Sequence, residues 1–153
     1  MNEDNVIDGV INYLKDNLHS RGRGCRIVHR SYAKDGDHGI DIKAYATSNG
    51  IVSTRYYIEA KGTLKAKDDA EKKSRFDTEF RFAISQIILR MKELSTATIY
   101  GIAVPKTEKD YCLKLLKNNK GLKTLKMRLY FAYQAENGEY YAEELTPKDI
   151  YKC

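Results

Sequence analysis

Residues 55–63 read RYYIEAKGT, and their reading decides how the chain must fold. In an extended strand, residues two apart share a face. Glu59 and Lys61 therefore project together, while Ile58 and Ala60 turn the other way. A carboxylate beside an ammonium at the end of an apolar strand is either a surface ion pair or half of a catalytic site. This stretch alone leaves both open.

Upstream, HGIDIKA (residues 38–44) sets Asp41 between Ile40 and Ile42. The isoleucines face one side and Asp41 the other. An acid in an otherwise apolar strand is costly to bury without a partner. IDIKAYAT and IVSTRYYIEAKG are two strands separated by SNG, a hairpin signal, and pairing across it can bring Asp41 beside Glu59. Two close carboxylates raise each other's pKa. A divalent cation neutralises such a pair, and magnesium suits it, taking one or two carboxylates and keeping waters. Lys61 could then orient or help deprotonate a water and stabilise charge on a phosphate. Asp, then Glu-x-Lys on the next strand, is a constellation for metal-assisted phosphodiester hydrolysis. Structural ion pairs at strand ends are the plain alternative.

The hairpin carries a conflict. A two-residue Asn49-Gly50 turn sets Ser48 against Ile51, and hence Asp41 against Ile58. That register sends Glu59 to the wrong face, since a slip of one residue flips every side chain. A metal site therefore demands an odd number of loop residues, or a β-bulge between Thr47 and Tyr56. Ser53 and Thr54, polar within the second strand, are the expected place for the bulge.

The rest of the chain frames this hairpin. Residues 5–18 carry the apolar spacing of an amphipathic helix, with Asp4 or Asn5 as its expected cap. CRIVHRSY reads as a first strand and KDGDHG (residues 34–39) as a polar turn. Residues 65–74 are charged and read as loop or frayed helix. Residues 76–94 form the strongest helix pattern, with Phe80, Ala83, Ile87, Met91 and Leu94 as its stripe. ATIYGIAVP reads as a buried central strand, residues 107–118 as a further helix, and RLYFAYQ and EYYAEEL as a late hairpin. The order α-β-β-β-α-β-α-β-β predicts an α/β (α+β) sandwich with a mixed sheet, a single domain over 1–153.

No apolar run approaches the roughly 20 residues that span a bilayer, and the N-terminus lacks a secretory signal pattern. The expectation is a cytoplasmic protein with no membrane partner. Cys25, Cys112 and Cys153 are odd in number and unlike a zinc pattern, so they read as reduced thiols. The net charge of +6 suits a polyanionic partner, and 12 tyrosines can stack on bases or bond to phosphates, although most will serve as strand residues.

GIDIKA followed by YIEAKG resembles the PD-(D/E)xK nuclease superfamily, and DGDHGIDIKA is similar to the DGGIDI-type turn of Mrr-like restriction endonuclease domains. Ile40 stands where the superfamily's name has proline. The resemblance covers Ile7 to about Pro105 and implies a restriction-endonuclease-like fold. It further implies a metal-dependent endonuclease, with DNA as the expected nucleic acid, magnesium as cofactor and manganese as its substitute. Asp41 and Glu59 would bind the metal, with the backbone carbonyl of Ala60, and Lys61 would be the catalytic lysine. Gln86 matches a glutamine that many members carry on the following helix, with Arg90 one turn on. Members also often carry an acid on the first helix, for which Asp8 and Glu3 are rivals here.

Arg21, Arg23, Arg26, Arg30 and Lys34, with His38 and Arg90, are the expected phosphate contacts, set against plain solvation or a turn role. A structure-specific, junction-resolving nuclease would need a homodimer. A catalytically inactive DNA-binding module is the alternative from another class. With no separate specificity domain in view, specificity would be loose, structure-based or supplied by a targeting partner.

Overall fold

The structure, a computed structural model, describes residues 1–31, 40–63, 68–92 and 95–152, the side chain of Lys120 excepted. Helix α1 spans Glu3–Ser20 and buries Val6, Ile7, Val10, Ile11, Leu14 and Leu18. Its cap is Asn2, whose side chain accepts from the Asn5 N–H at 2.8 Å. The helix therefore starts a turn earlier than the apolar spacing marks, and Asp4 and Asn5 lie inside it.

Strands β1 (Gly24–Arg30), β2 (Ile42–Ser48) and β3 (Ile51–Ala60) follow. Helix α2 runs Asp69–Arg90. Asp68 caps it by accepting from the Glu71 N–H at 2.8 Å, so of the charged stretch expected as loop or frayed helix, residues 69–74 are helical, and residues 65–67 lie outside the described residues. Strand β4 (Thr98–Pro105) leads through a 3₁₀ turn into α3 (Lys109–Asn118). A second 3₁₀ segment, Lys120–Leu125, precedes β5 (Arg128–Gln134) and β6 (Tyr140–Leu145), and α4 (Pro147–Ile150) ends the described chain. Leu94, the 34–39 turn and Cys153 lie outside the described residues.

The six strands form one mixed sheet in which spatial order equals sequence order. The β1–β2 and β2–β3 pairs are antiparallel, β3–β4 and β4–β5 parallel, and β5–β6 antiparallel. Side-chain alternation divides the core. Ile42, Ala44, Ile58, Ala60 and Ala103 pack with α1, while Ile102, Val104, Leu129 and Phe131 pack with α2, α3 and α4. The result is a three-layer sandwich, and β4 is buried on both faces as its apolar run requires. Among the described residues no helix is long and apolar enough to cross a membrane.

The hairpin meets both of its conflicting demands. Asn49 and Gly50 adopt φ of 50° and 77°, a two-residue turn that sets Ser48 against Ile51. Thr47 then faces Val52, but Ala46 faces Thr54. Ser53 is the extra residue of a β-bulge. From there the ladder runs to Ile42 opposite Ile58, and continuing the same alternation by one residue puts Asp41 and Glu59 on one face.

Candidate active site

The bulge is held by side chains as well as by the ladder. The Ser53 hydroxyl donates to the Ala46 carbonyl at 3.1 Å. Arg23 donates to the Thr54 hydroxyl at 2.9 Å and also to Ser53. One end of the sheet thereby sets the parity of the other.

At that other end, Asp41 and Glu59 are both buried, and Glu59 retains only 2% exposure. Asp41 Oδ2 accepts from the Ala60 N–H at 2.7 Å. Glu59 Oε1 accepts from Lys61 Nζ at 3.3 Å, and Glu59 Oε2 from Arg90 Nη1 at 2.9 Å. Lys61 Nζ also lies 3.9 Å from Glu3 Oε2. Gly62 permits that approach: a Cβ there would stand 2.5 Å from the Glu3 backbone nitrogen. The Thr63 N–H donates to the Met1 carbonyl at 2.7 Å, tying the start of α1 to the end of β3. Glu3, not Asp8, is thus the first-helix acid brought to Lys61.

Electrostatics follow from this geometry. Burial raises the Asp41 carboxyl above its ordinary pKa, against the pull of the Ala60 N–H, Lys61, Arg90 and His29. Burial also raises Glu59, and the neighbouring Asp41 charge adds to it. Burial alone would push the Lys61 ammonium down, but Glu3, Glu59 and Asp41 together hold it above its ordinary value. Lys61 is therefore a cation in this state, suited to stabilising charge rather than to accepting a proton.

Two carboxylates on one face, both raised by burial and Glu59 also by the Asp41 charge, are a donor set of the kind magnesium accepts, with waters completing its shell. Among the described residues no three Asp, Glu, His or Cys side chains group as a ligand set. The described residues thus offer Asp41, Glu59 and the Ala60 carbonyl, and water would complete the shell. Gln86 adds an observation of the same kind. Its Oε1 is buried and accepts no hydrogen bond among the described residues, one turn before Arg90 on the same helix side. A buried acceptor left without a donor is costly, and a water in that space would satisfy it.

The expected phosphate contacts are dispersed. Arg21 and Arg23 sit near the Gly24–Thr47 end of the sheet, roughly 20 Å along β2 from Asp41. Arg23 is engaged with the bulge. Arg26 lies over the Tyr45 ring, 5.5 Å from its centroid. Arg30 is exposed opposite Ile42, at the end nearer the carboxylates. Arg90 is not a free phosphate contact, because its guanidinium is bonded to Glu59. Lys34 and His38 fall outside the described residues. His29 was not legible as a member of the site. A bulge between Ile27 and His29 sets it opposite Lys43, close enough to favour the charged form of Asp41. The only local signal for Gly62 was its place directly after Glu-x-Lys. Compared with known proteins, the chain matches no family model, no curated protein and no solved structure.

Proposed function

We propose that the chain is a magnesium-dependent nuclease of the PD-(D/E)xK type, acting on DNA and built on a restriction-endonuclease-like core. The observation that carries this reading is the Ser53 bulge. A regular hairpin on the Asn49-Gly50 turn would separate Asp41 from Glu59, and the extra residue reunites them. Bulges interrupt a ladder and often re-aim a side chain beside a functional site. The order of helices and strands through β4 supports the fold assignment.

In this reading Asp41, Glu59 and the Ala60 carbonyl hold the cation. When bound, magnesium supplies positive charge facing the phosphate and lowers the pKa of a water. Lys61 sets its ammonium against the charge that gathers on the phosphate. Glu3 keeps Lys61 protonated and in place, and Gln86 orients a water through Oε1. Arg90, bonded to Glu59 Oε2, holds that carboxylate in place beside the position the cation would take.

A second reading has its own support. Both Glu59 oxygens are already bonded to cations, Lys61 and Arg90, as in a closed structural network. That arrangement suits a DNA-binding module in which the acids hold no metal. Incubation with supercoiled, linear, branched and single-stranded DNA, in magnesium or manganese against EDTA, separates the two. Cleavage that needs the metal and vanishes in Asp41→Asn and Glu59→Gln upholds the nuclease. Absence of cleavage on every substrate, with no heat of magnesium binding, leaves the module.

A further inference from the structure

On the sheet face that carries Asp41 and Glu59, α2 stops at Arg90 and leaves a cavity of about 610 Å³. Lys43, Arg55 and Lys92 line it together with Arg90, Tyr57 and Tyr100. No Asp or Glu lines it among the described residues. Within the same residues, Lys43, Arg55 and Lys92 make no ion pair. Three uncompensated cations around one concavity focus a positive field and favour an anion there.

The floor is aromatic. Tyr57 and Tyr100 are partners across the β3–β4 ladder, with ring centroids 5.8 Å apart and planes inclined by 26°. Tyr100 is buried, at 6% exposure, so it backs the half-buried Tyr57, whose ring offers a surface on which a base can stack, and cations beside it suit a phosphate. The cavity volume falls within the range of small-ligand pockets, about 300–1,000 Å³.

We infer that this cavity binds a single nucleotide, its phosphate among Lys43, Arg55 and Lys92 and its base against Tyr57, which Tyr100 backs. Arg90 is the wall shared with Glu59, so the bound nucleotide lies beside the carboxylate pair. A base reaches such a pocket only when it is unpaired or turned out of the stack. The substrate class is then DNA with an unpaired nucleotide, such as a bulge, flap or single strand. This consequence for substrate choice rests on the nuclease reading, whereas binding of a nucleotide in the cavity does not.

Calorimetric titration with dAMP in EDTA tests the cavity alone, with inorganic phosphate and deoxyadenosine as controls. The expectation is that dAMP binds more tightly than either control. Lys43→Gln with Arg55→Gln should weaken both dAMP and phosphate. Tyr57→Leu should weaken dAMP by about tenfold, the scale of one base stacked on an aromatic ring, and leave phosphate unchanged. Tyr57→Phe keeps the ring and should retain dAMP binding, which separates stacking from a folding defect. Binding of dAMP no tighter than phosphate, or unaltered in the Lys43/Arg55 variant, overturns the inference. A second arm compares duplexes with and without a one-nucleotide bulge. Preference for the bulge, lost in Tyr57→Leu, places the nucleotide within DNA, whereas dAMP binding without that preference makes the ligand a free nucleotide. A protein that cleaves DNA but does not bind dAMP refutes the cavity and keeps the nuclease. One that binds dAMP but cleaves nothing does the reverse.

Discussion

Arg23 reaches across from the start of β1 to Ser53, the bulged residue of β3, and so braces the register that puts Asp41 and Glu59 on one face. The two ends of the β2–β3 ladder are separated by several residues, yet the parity at one end is decided at the other. Deleting Ser53 makes Val52 and Thr54 consecutive, opposite Thr47 and Ala46, so the bulge goes while the Ile42–Ile58 pairing and the shared face of Asp41 and Glu59 are kept. Metal-dependent cleavage and magnesium binding should therefore both persist, with circular dichroism reporting a folded α/β protein. A folded deletion variant that loses both contradicts this account of the register. Arg23→Ala should cost about 1 kcal/mol for each lost hydrogen bond in chemical denaturation.

The two acids should differ in what they do to the metal-free fold. Glu59→Gln strips the ion partner from both Lys61 and Arg90. The loss is partly offset, because burial and the Asp41 charge already disfavour the charged Glu59, and it is smaller than for a fully buried pair because both cations retain some solvent. Asp41→Asn relieves repulsion, and the amide oxygen can still accept from Ala60, so stability should hold or rise. Urea melts of the two variants in EDTA check the order, and an Asp41→Asn protein less stable than Glu59→Gln contradicts it.

The pH dependence has a definite sign. Asp41 and Glu59 both have carboxyl pKa values raised in the fold, chiefly by burial. The native state then binds more protons than the unfolded chain, so the pair costs nothing at pH below the ordinary carboxyl values. Stability is lost as pH climbs through the window from there to the raised folded values. In EDTA, the melting temperature of Asp41→Asn relative to wild type should grow as pH rises above the ordinary carboxyl value of about 4. In the proposed reading magnesium would bind the charged carboxylates, so adding it should reverse the trend for wild type. A difference that stays flat across this range, with and without metal, refutes the coupling.

Gly62 sets how close α1 comes to the site. A Cβ placed 2.5 Å from the Glu3 nitrogen has only backbone to push against. Gly62→Ala should destabilise by about 1–3 kcal/mol, the usual cost of overpacking, and should lower cleavage by drawing Glu3 away from Lys61. Glu3→Gln should reduce cleavage while Asp8→Asn leaves it unchanged. Equal effects of the two acid substitutions would return Asp8 to contention.

Gln86 makes a prediction in which stability and activity part. Its buried Oε1 has no hydrogen bond to lose among the described residues. Gln86→Met should therefore leave thermal stability in EDTA unchanged or higher, yet slow cleavage in magnesium. A large loss of stability would show that the amide serves the fold instead.

Much of the architecture was local and hence legible. The period of α1, the apolar run of β4, the Asn49-Gly50 turn and the late hairpin each lie within one short window, where side-chain spacing and turn chemistry act directly. The need for a bulge was legible too, because strand parity is arithmetic once the turn and the two carboxylates are fixed. Two helix starts were misjudged because their caps, Asn2 and Asp68, stand ahead of the first apolar residue that marks the pattern. What only the tertiary structure decided were relationships between elements distant in sequence. Glu3 rather than Asp8 reaches Lys61, since the close approach at Gly62 sets where α1 begins over the sheet. Arg90 turned from an expected phosphate contact into the partner of Glu59, and Arg23 into the brace of the bulge. The Lys43, Arg55 and Tyr57 side of the hairpin became a cavity wall only once α2 ended short of it and β4 brought Tyr100 alongside. Spacing along a chain assigns a side chain to a face; which charges meet on that face depends on how helices and strands dock, and docking is settled by the packing of the whole core.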